Sequence, residues 1–506
     1  MLLLAGIALA APLESTMDVR THLMAALEQR PENGCLTPLV HELNQHWQEL
    51  TVEERARATA VLAPSRTDLF APFPPRKGPP PPPAAKDSCE GQQMNNRVTG
   101  AHFVVEWDAG ITEATANRFL EALELSYEVE VEEMGWEPPV GDGEFLLPAY
   151  VENRDTNGAY TYVTNCDNKY MPYISAGRNS WQNADWGDIM ASHEFNHTLQ
   201  FAYSFAPELW WWEATATWIE AYVYPSINQW AWYVTGYSDY PYVAFDASSQ
   251  EDEVVFYHMY GMALWSFYLD EYHGGPDTIR EIWENASRAR GNDAIDIDDM
   301  MKDIDIDWED AFVDFSARNT VMDYAHHEVI PEVRLTDTVT TLPAEGESAR
   351  STKPEGHGQN YIKFGKGLGD GTLTIDFTGD PGADWSVQLV EASRSAVERS
   401  VVQHIEGGEG TISMQDVGNK DVFLVVSPLE DSENGYSYSW SASLDTSGAT
   451  GDTGATQDTG RADGDSDENK ISIGQSCACA SGSEVPTSAL LFGALAGVLG
   501  ARRRRT

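Results

Sequence analysis

The sequence His-Glu-Phe-Asn-His at 193–197 constrains this chain more than any other feature. On a helix, His193 and His197 lie on one face and can present imidazole nitrogens to a single cation. Neutral imidazoles suit Zn2+, and Glu194 can reach a water held at the same ion. The alternative is a helix whose histidines satisfy hydrogen bonds in a core. Histidine is scarce, with 12 in 506 residues, so we favour a zinc site with Glu194 as its general base.

The residues around this pattern predict two buried helices. The flanks at 188–192 and 198–203 contain no glycine, no proline and no charge beyond Asp188, as a buried helix requires. A second apolar stretch at 208–220 can turn and run back alongside the first helix. A catalytic zinc needs a third protein ligand and one open position, and Glu213 on the second helix is the candidate ligand.

These segments resemble the gluzincins, the thermolysin-like and aminopeptidase-like zinc peptidases whose third ligand is a glutamate on a following helix. The closer likeness is to secreted metalloproteases of myxobacterial type, in which the pattern is followed by Gln-Phe and then a W-x-x-E-x-T-A-T-W-like segment. Here those pieces are Gln200-Phe201 and residues 210–218. The resemblance covers about residues 97–325. It implies a zincin-like fold, Zn2+ as cofactor, Glu213 as third ligand and hydrolysis of peptide bonds.

The chain departs from the gluzincin pattern beside the third ligand. Many gluzincins carry an acid four residues after the glutamate ligand, where it orients the first histidine, and Thr217 stands there in this chain. We therefore expect Thr217 or Glu220 to hold His193, or the site to be tuned differently.

A predicted apolar helix at 256–269 carries the candidate for oxyanion stabilisation. In aminopeptidase-like gluzincins a tyrosine three residues before a glycine has this role. His258 has that spacing here, with Tyr257 and Tyr260 beside it. The resemblance thus implies His258 as a catalytic residue, because an imidazolium or a phenol can donate to the developing charge. For each of the three, packing in an aromatic cluster is the alternative.

Between 330 and 445 the chain changes to short alternating strands separated by Gly- and Asp-rich turns, a pattern typical of a β-sandwich. It contains no catalytic cluster, so carbohydrate binding, protein binding and simple spacing stay open. The predicted strands are 339–342, 359–364, 372–377, 385–390, 410–414, 422–427 and 436–440.

Both ends of the chain indicate export. Residues 1–11 have the apolar run of a secretory signal peptide but not its basic start. Near the C-terminus, Cys477 and Cys479 precede an apolar run at 489–500 and four arginines at 502–505. This arrangement resembles the MYXO-CTERM sorting signal, which implies processing near the cysteine and a surface anchor. An ordinary tail anchor is the alternative, although the apolar run is short for a full span.

Charge and cysteine content narrow the partners and the covalent bonds. A net charge of −48 argues against nucleic acid and anionic membrane surfaces as partners, and solubility of an exported protein explains it. Of five cysteines, Cys477 or Cys479 belongs to the tail; Cys89 and Cys166 can then bridge while Cys35 stays free. The sequence leaves this pairing open.

The sequence therefore predicts an α+β protein in which a zincin-like domain, with a mixed sheet and helices, precedes a β-sandwich domain. We expect an exported, surface-anchored monomeric endopeptidase that uses Zn2+ on protein or peptide substrates and meets a membrane only through its C-terminal anchor. The alternatives are a catalytically degenerate zincin acting as a surface adhesin, which the intact motif argues against, and a zinc hydrolase of another bond. The predicted segments are a signal peptide at 1–11, a helical pro-segment or spacer at 12–70, a Pro-rich linker at 71–96, the zincin-like domain at 97–325, the β-sandwich at 330–445, a disordered acidic stalk at 446–476 and the sorting or anchor segment at 477–506.

Overall fold

Within the residues that can be described, the fold is α+β, as the sequence predicts. The signal peptide, the sorting segment, most of the predicted linker and nearly all of the predicted stalk lie outside those residues, as do Cys35, Cys477 and Cys479. In the described part, no helix is long and apolar enough to cross a membrane. The computed structural model describes residues 23–27, 36–62, 87–286 and 301–446, without positions 168, 182, 302, 303, 305, 419, 431 and 433.

Helices and one mixed sheet make up the chain as far as residue 318, and two further sheets follow. The helices are α1 (Thr37–Gln45), α2 (Val52–Leu62), α3 (Glu113–Tyr127), α4 (Ala184–Tyr203), α5 (Leu209–Val223), α6 (Trp230–Asp239), α7 (Glu253–Gly261), α8 (Ala263–Tyr272), α9 (Pro276–Ala286) and α10 (Trp308–Arg318), with a π-helical turn at Glu128–Glu133. The strands of the first sheet are β1 (Asn96–Thr99), β2 (Phe103–Trp107), β3 (Leu147–Glu152), β4 (Ala159–Cys166) and β5 (Lys169–Gly177). The later strands are β6 (Asp337–Val339), β7 (Ala344–Glu347), β8 (Asn360–Phe364), β9 (Thr372–Gly379), β10 (Trp385–Ala392), β11 (Val397–Ile405), β12 (Glu409–Met414), β13 (Asp421–Pro428) and β14 (Tyr438–Asp445).

The first sheet brings an edge strand beside the helix that carries the His-Glu-x-x-His pattern. Its strand order is β1-β2-β3-β5-β4, so β4 forms one edge. Strands β2, β3 and β5 run parallel, whereas β4 pairs antiparallel with β5. Helix α3 packs on β1 and β2, and helix α4 packs on β4 and β5. The edge strand is therefore a direct neighbour of α4.

Helices α4 and α5 pack against each other in the interior. Asn183 caps α4, since its side-chain oxygen accepts a hydrogen bond from Asp185 N at 3.2 Å. Most residues of both helices are buried, 15 of 20 in α4 and 13 of 15 in α5. Packing on all sides, rather than one apolar stripe, therefore stabilises them.

The hairpin of β1 and β2 and the helices α7 and α8 each lie very close to a neighbouring helix. Strands β1 and β2 pair antiparallel as a hairpin. A Cβ on Gly100 at its turn would lie 2.1 Å from Glu124 Oε1 of α3. The helix expected at 256–269 is α7 and α8. A Cβ on Gly236 of α6 would lie 1.9 Å from the carbonyl oxygen of Tyr257 in α7.

Residues 337–445 form two sheets that enclose one apolar core. Their strand orders are β11-β10-β13-β8-β6 and β12-β9-β14-β7. The rings of Phe364 and Trp440 meet across the two sheets with centroids 5.7 Å apart. The outer face of the five-stranded sheet is also covered, because Tyr361, Val390 and Phe423 belong to the core of the helical region.

Strands β7 and β11 were not predicted. Strand β11 is an edge strand that is almost entirely exposed and mostly polar. Strand β7 is short and lacks an apolar face. Neither has the alternation of apolar and polar residues that marks a half-buried strand, so neither could be predicted from its residues.

The N-terminal part of the described chain packs onto the first sheet and its helices, which together are called the first region. Residues 36–62, predicted as part of a pro-segment or spacer, form α1 and α2 and share the core of the first sheet. Helix α1 lies against β4. Cys89 and Cys166 form a disulfide with their Cα atoms 5.9 Å apart. This bond ties the segment before β1 to the end of β4.

Candidate metal centre and its surroundings

His193, His197 and Glu213 meet where α4 packs against α5. One ligand atom from each lies within 4.8 Å of the others. The Nε2 atom of His193 is 3.1 Å from Glu213 Oε2, and that of His197 is 3.7 Å from Glu213 Oε1. The exposed fractions of the three residues are 5%, 0% and 0%. The helical spacing of four thus aims two imidazoles at one buried carboxylate.

The Nδ1 atom of each histidine has a partner on the side away from Glu213. His193 Nδ1 lies 3.0 Å from Glu220 Oε1, and His197 Nδ1 lies 2.6 Å from Gln200 Oε1. These contacts fix the ring orientations and leave both Nε2 atoms facing the third ligand. Of the two residues expected to hold His193, Glu220 makes the contact. Thr217 Oγ1 has no hydrogen-bond partner among the described residues.

A buried chain of amides extends from His197 to an acid in the π-helical turn. Gln200 Nε2 donates to Asn196 Oδ1 and Thr215 Oγ1, both at 2.8 Å. Asn196 Nδ2 donates to Glu130 Oε2 at 3.0 Å. Burial raises the pKa of Glu130 well above its usual range, which favours the neutral form of this acid. Sequence reasoning missed this chain, because nothing distinguishes Glu130 from the other acids of its turn.

The acids and imidazoles of the cluster shift one another's pKa values. Burial lowers the pKa of His193, but hydrogen bonds to Glu213 and Glu220 outweigh it and raise that pKa to about 10. Burial lowers the pKa of His197 to about 4. Burial raises the pKa of Glu213, yet both histidines and a hydrogen bond from Tyr260 hold it below its usual range. Glu213 is therefore charged, and His193 carries a proton that a metal would displace.

Glu194 lies on the same helix turn and is fully buried. Its Oε2 atom and its backbone carbonyl oxygen both lie 2.7 Å from Thr161 Oγ1 of β4 and share the single proton that this hydroxyl donates. Thr37 Oγ1 at the start of α1 also approaches Glu194 Oε2, at 3.4 Å. Sequence reasoning named Glu194 but neither threonine, because both contacts depend on how distant segments pack.

A small cavity lies against the cluster and includes Tyr260 rather than His258. Its volume is about 20 Å³, room for roughly one water molecule, and His193, Glu194 and Tyr260 are among its lining residues. The Tyr260 ring stacks on His193 with centroids 6.0 Å apart. Neither His258 nor Tyr257 lines this cavity. Burial lowers the pKa of His258 to about 3, so it is neutral, and its Nδ1 has no hydrogen-bond partner in the described part of the chain.

These residues fit a catalytic zinc ion. Two imidazoles and one carboxylate form a donor set that zinc enzymes use, with a fourth position left for water. Glu213 Oε1 has no hydrogen-bond partner among the described residues. A charged carboxylate buried in this way requires a compensating cation, since burying an uncompensated charge is costly. The protonated His193 provides one such charge, and a divalent ion would replace it.

The fold and the cluster define an α+β protein with a buried His–His–Glu centre. The chain matches a family of unknown function, DUF6055, over residues 84–443, and it belongs to this family. A comparison with curated proteins gives no match. The matched range includes His193, Glu194, His197 and Glu213. It begins after the N-terminal helices α1 and α2 and so does not include them.

Three solved structures each match about a fifth of the chain, with low overall similarity. The pre-peptidase C-terminal domain of a collagenase from Bacillus anthracis has 10% identity over 22% of this chain and 99% of that domain, with a TM-score of 0.17. Tripeptidyl peptidase 2 has 12% identity over 22% of this chain, which spans only 11% of that protein, with a TM-score of 0.17. The Aeromonas hydrophila lysozyme inhibitor PliG has 16% identity over 22% of this chain and all of that protein, with a TM-score of 0.15.

Proposed function

We propose that this protein is a zinc-dependent endopeptidase that is exported and anchored at the cell surface. The observation that carries the proposal is the buried convergence of His193, His197 and Glu213, with Glu194 directly beside the first ligand. The resemblance of these residues to gluzincins supports the peptide bond as the target. The signal-like N-terminus and the cysteine, apolar run and arginines of the C-terminus support export and anchoring.

The proposed mechanism assigns the metal-holding role to residues that are already oriented. His193, His197 and Glu213 hold the ion, while Glu220 and Gln200 fix the two imidazole rings. When bound, Zn2+ lowers the pKa of a coordinated water and polarises a carbonyl group. The fully buried setting strengthens every charge interaction at this site, because little water screens it.

The proton is carried by Glu194. Its carboxylate takes the proton of the attacking water and returns it to the leaving amine. Thr161 holds one carboxylate oxygen by a hydrogen bond and thereby fixes the direction of the other. Tyr260, which lines the same cavity, is the candidate donor to the carbonyl oxygen, and its single hydroxyl proton would then leave Glu213 for that oxygen as charge develops there.

Metal content and metal-dependent hydrolysis test this proposal. We expect the purified chain to hold about one zinc ion and to cleave casein, with activity lost on chelation and restored by Zn2+. Glu213→Ala removes one ligand, leaves both histidines in the sequence and should lower zinc occupancy sharply. A Glu213→Ala variant that retains full zinc and full activity would contradict the assignment of Glu213.

A further inference from the structure

Residues 36 and 37 occupy the free side of edge strand β4. The backbone N–H of Leu36 donates to the carbonyl oxygen of Ala159 at 2.8 Å. The backbone N–H of Thr161 donates to Thr37 Oγ1 at 2.8 Å. In a strand, alternate residues point their N–H and C=O groups to opposite sides, so Ala159 and Thr161 face away from β5. These are the groups that a further strand or a peptide would use to extend the sheet.

The same contact reaches the proposed general base. Thr161 Oγ1 donates to Glu194 Oε2 at 2.7 Å, and Thr37 Oγ1 lies 3.4 Å from the same carboxylate oxygen. Both threonines are buried. One hydroxyl of the N-terminal segment therefore contacts both the edge strand and Glu194.

The segment is anchored by packing as well as by these hydrogen bonds. At its far end, the Tyr160 hydroxyl of β4 donates to the carbonyl oxygen of Leu62 at 3.3 Å. Residues 36–62 contribute apolar side chains to the core of the first region, and these side chains are at most 3% exposed: Leu36, Leu39, Val40, Leu43, Trp47, Leu50, Ala58 and Leu62.

The connection to the rest of the chain suits removal of this segment. The stretch from 63 to 86 joins it to the first sheet and contains five consecutive prolines at 79–83. Beyond that stretch, the disulfide at Cys89 holds the new beginning of the chain to Cys166 at the end of β4. The match to the family starts at residue 84. A cut between 62 and 87 would therefore separate α1 and α2 from a domain whose own start stays tied down.

We propose that residues 36–62 are an intramolecular inhibitor of the active site. This proposal rests on the proposed peptidase function. While the segment is docked, it covers the edge where a peptide backbone would pair with β4 and places Thr37 against Glu194. Undocking or cleavage of the segment frees Ala159, Thr161 and Glu194 together.

A proline substitution in the full chain tests the docking. Leu36→Pro keeps an apolar residue but removes the N–H that bonds to Ala159. The matched control is Val52→Pro in the same segment. Val52 is 76% exposed and is the first residue of α2, a position that tolerates proline. We expect Leu36→Pro to speed amide hydrogen exchange at 159–161 and to raise casein hydrolysis about tenfold, with Val52→Pro like the parent.

Cleavage gives an independent measure of the same effect. A recognition site for a sequence-specific protease, placed between 63 and 86 of the full chain, allows the segment to be cut after folding. We expect casein hydrolysis to rise at least tenfold after the cut, and removal of zinc by a chelator to become faster. Thr37→Val deletes the hydroxyl but keeps the shape of the side chain, and it should likewise speed amide exchange at 159–161 and raise casein hydrolysis. It replaces Leu36→Pro if that variant does not fold.

The outcomes separate this proposal from the proposed function. Unchanged exchange at 159–161 in both Leu36→Pro and Thr37→Val would overturn the docking. Faster exchange with hydrolysis equal to that of an active parent would overturn inhibition and leave a structural segment. A cut chain that holds zinc but cleaves no casein would overturn the peptidase function itself, and the inhibitor proposal with it.

Discussion

The core of the β-sandwich and the interior around α4 and α5 are buried to the same degree, yet they bury different chemistry. The sandwich core is built from apolar side chains that alternate along its strands, such as Leu373, Ile375 and Phe377 of β9. The other interior buries titratable and amide groups side by side, each at most 5% exposed: His193, Glu194, Asn196, His197, Gln200, Glu213 and Glu220.

This difference indicates that the polar groups around α4 and α5 are not there to stabilise the fold. A buried polar group that loses its hydrogen bond costs about 1–3 kcal/mol, and a charged group costs more. The sandwich shows that the chain can form a core without such groups. The acids around α4 therefore need a reason other than folding, and a cation held between them is a sufficient one.

Truncation of the sandwich core should produce the largest loss of stability. Trp440 is 4% exposed and packs on Phe364 across the two sheets. Trp440→Ala should lower the free energy of unfolding by about 3–5 kcal/mol, as large-to-small changes in a packed core do. Zinc affinity should stay within about twofold of the parent, measured by competition with a chelating dye. Loss of zinc in a still-folded Trp440→Ala protein would show that zinc binding depends on the sandwich core.

Removal of the hydrogen bond between Glu220 and His193 should weaken zinc binding, unlike the truncation in the sandwich core. Glu220→Leu deletes the acceptor for His193 Nδ1 while keeping similar volume. We expect zinc affinity to fall about 10–100-fold, as changes behind a metal ligand do. Thr217→Val is the matched control on the same helix, since Thr217 Oγ1 has no partner among the described residues. Equal affinity in both variants would show that Glu220 does not orient the ligand.

The exposed edge of the sandwich should tolerate change best. Val402 of β11 is 41% exposed. Val402→Thr keeps the branched shape and should change the free energy of unfolding by no more than about 0.5 kcal/mol. Urea denaturation beside Trp440→Ala gives the comparison within one sheet-rich region. A loss of more than about 2 kcal/mol would indicate that β11 is covered by another part of the protein.

The sequence predicted the centre of the site because helix geometry is local. A spacing of four residues is enough to bring His193 and His197 to one face, and the apolar stretch after them is enough to predict the helix of Glu213. The partners of these residues depend on tertiary packing. Thr161 on β4 and Glu130 in the π-helical turn have no signature in the sequence, and the same is true of the choice of Tyr260 over His258.

The fold was predictable wherever residues alternate in polarity or repeat at helical spacing. The division of the helix expected at 256–269 into α7 and α8 was not predicted. Gly236 allows the backbones of α6 and α7 to approach closely, which depends on how the two helices pack. The docking of residues 36–62 on β4 could not be predicted from the sequence either. Composition indicated helices there, but their position on the edge strand follows only from the contacts of Leu36 and Thr37.

The proposed mechanism depends most on Glu194 as a proton carrier, and Glu194→Gln tests this role directly. The measurement is casein hydrolysis with zinc content, made on the full chain cut between 62 and 87 so that the N-terminal segment does not mask the result. The amide has nearly the size of the carboxylate but cannot accept the proton. We predict unchanged zinc and a rate lower by ~10²–10⁴-fold. A variant that holds zinc and cleaves casein as fast as the cut parent would contradict the account.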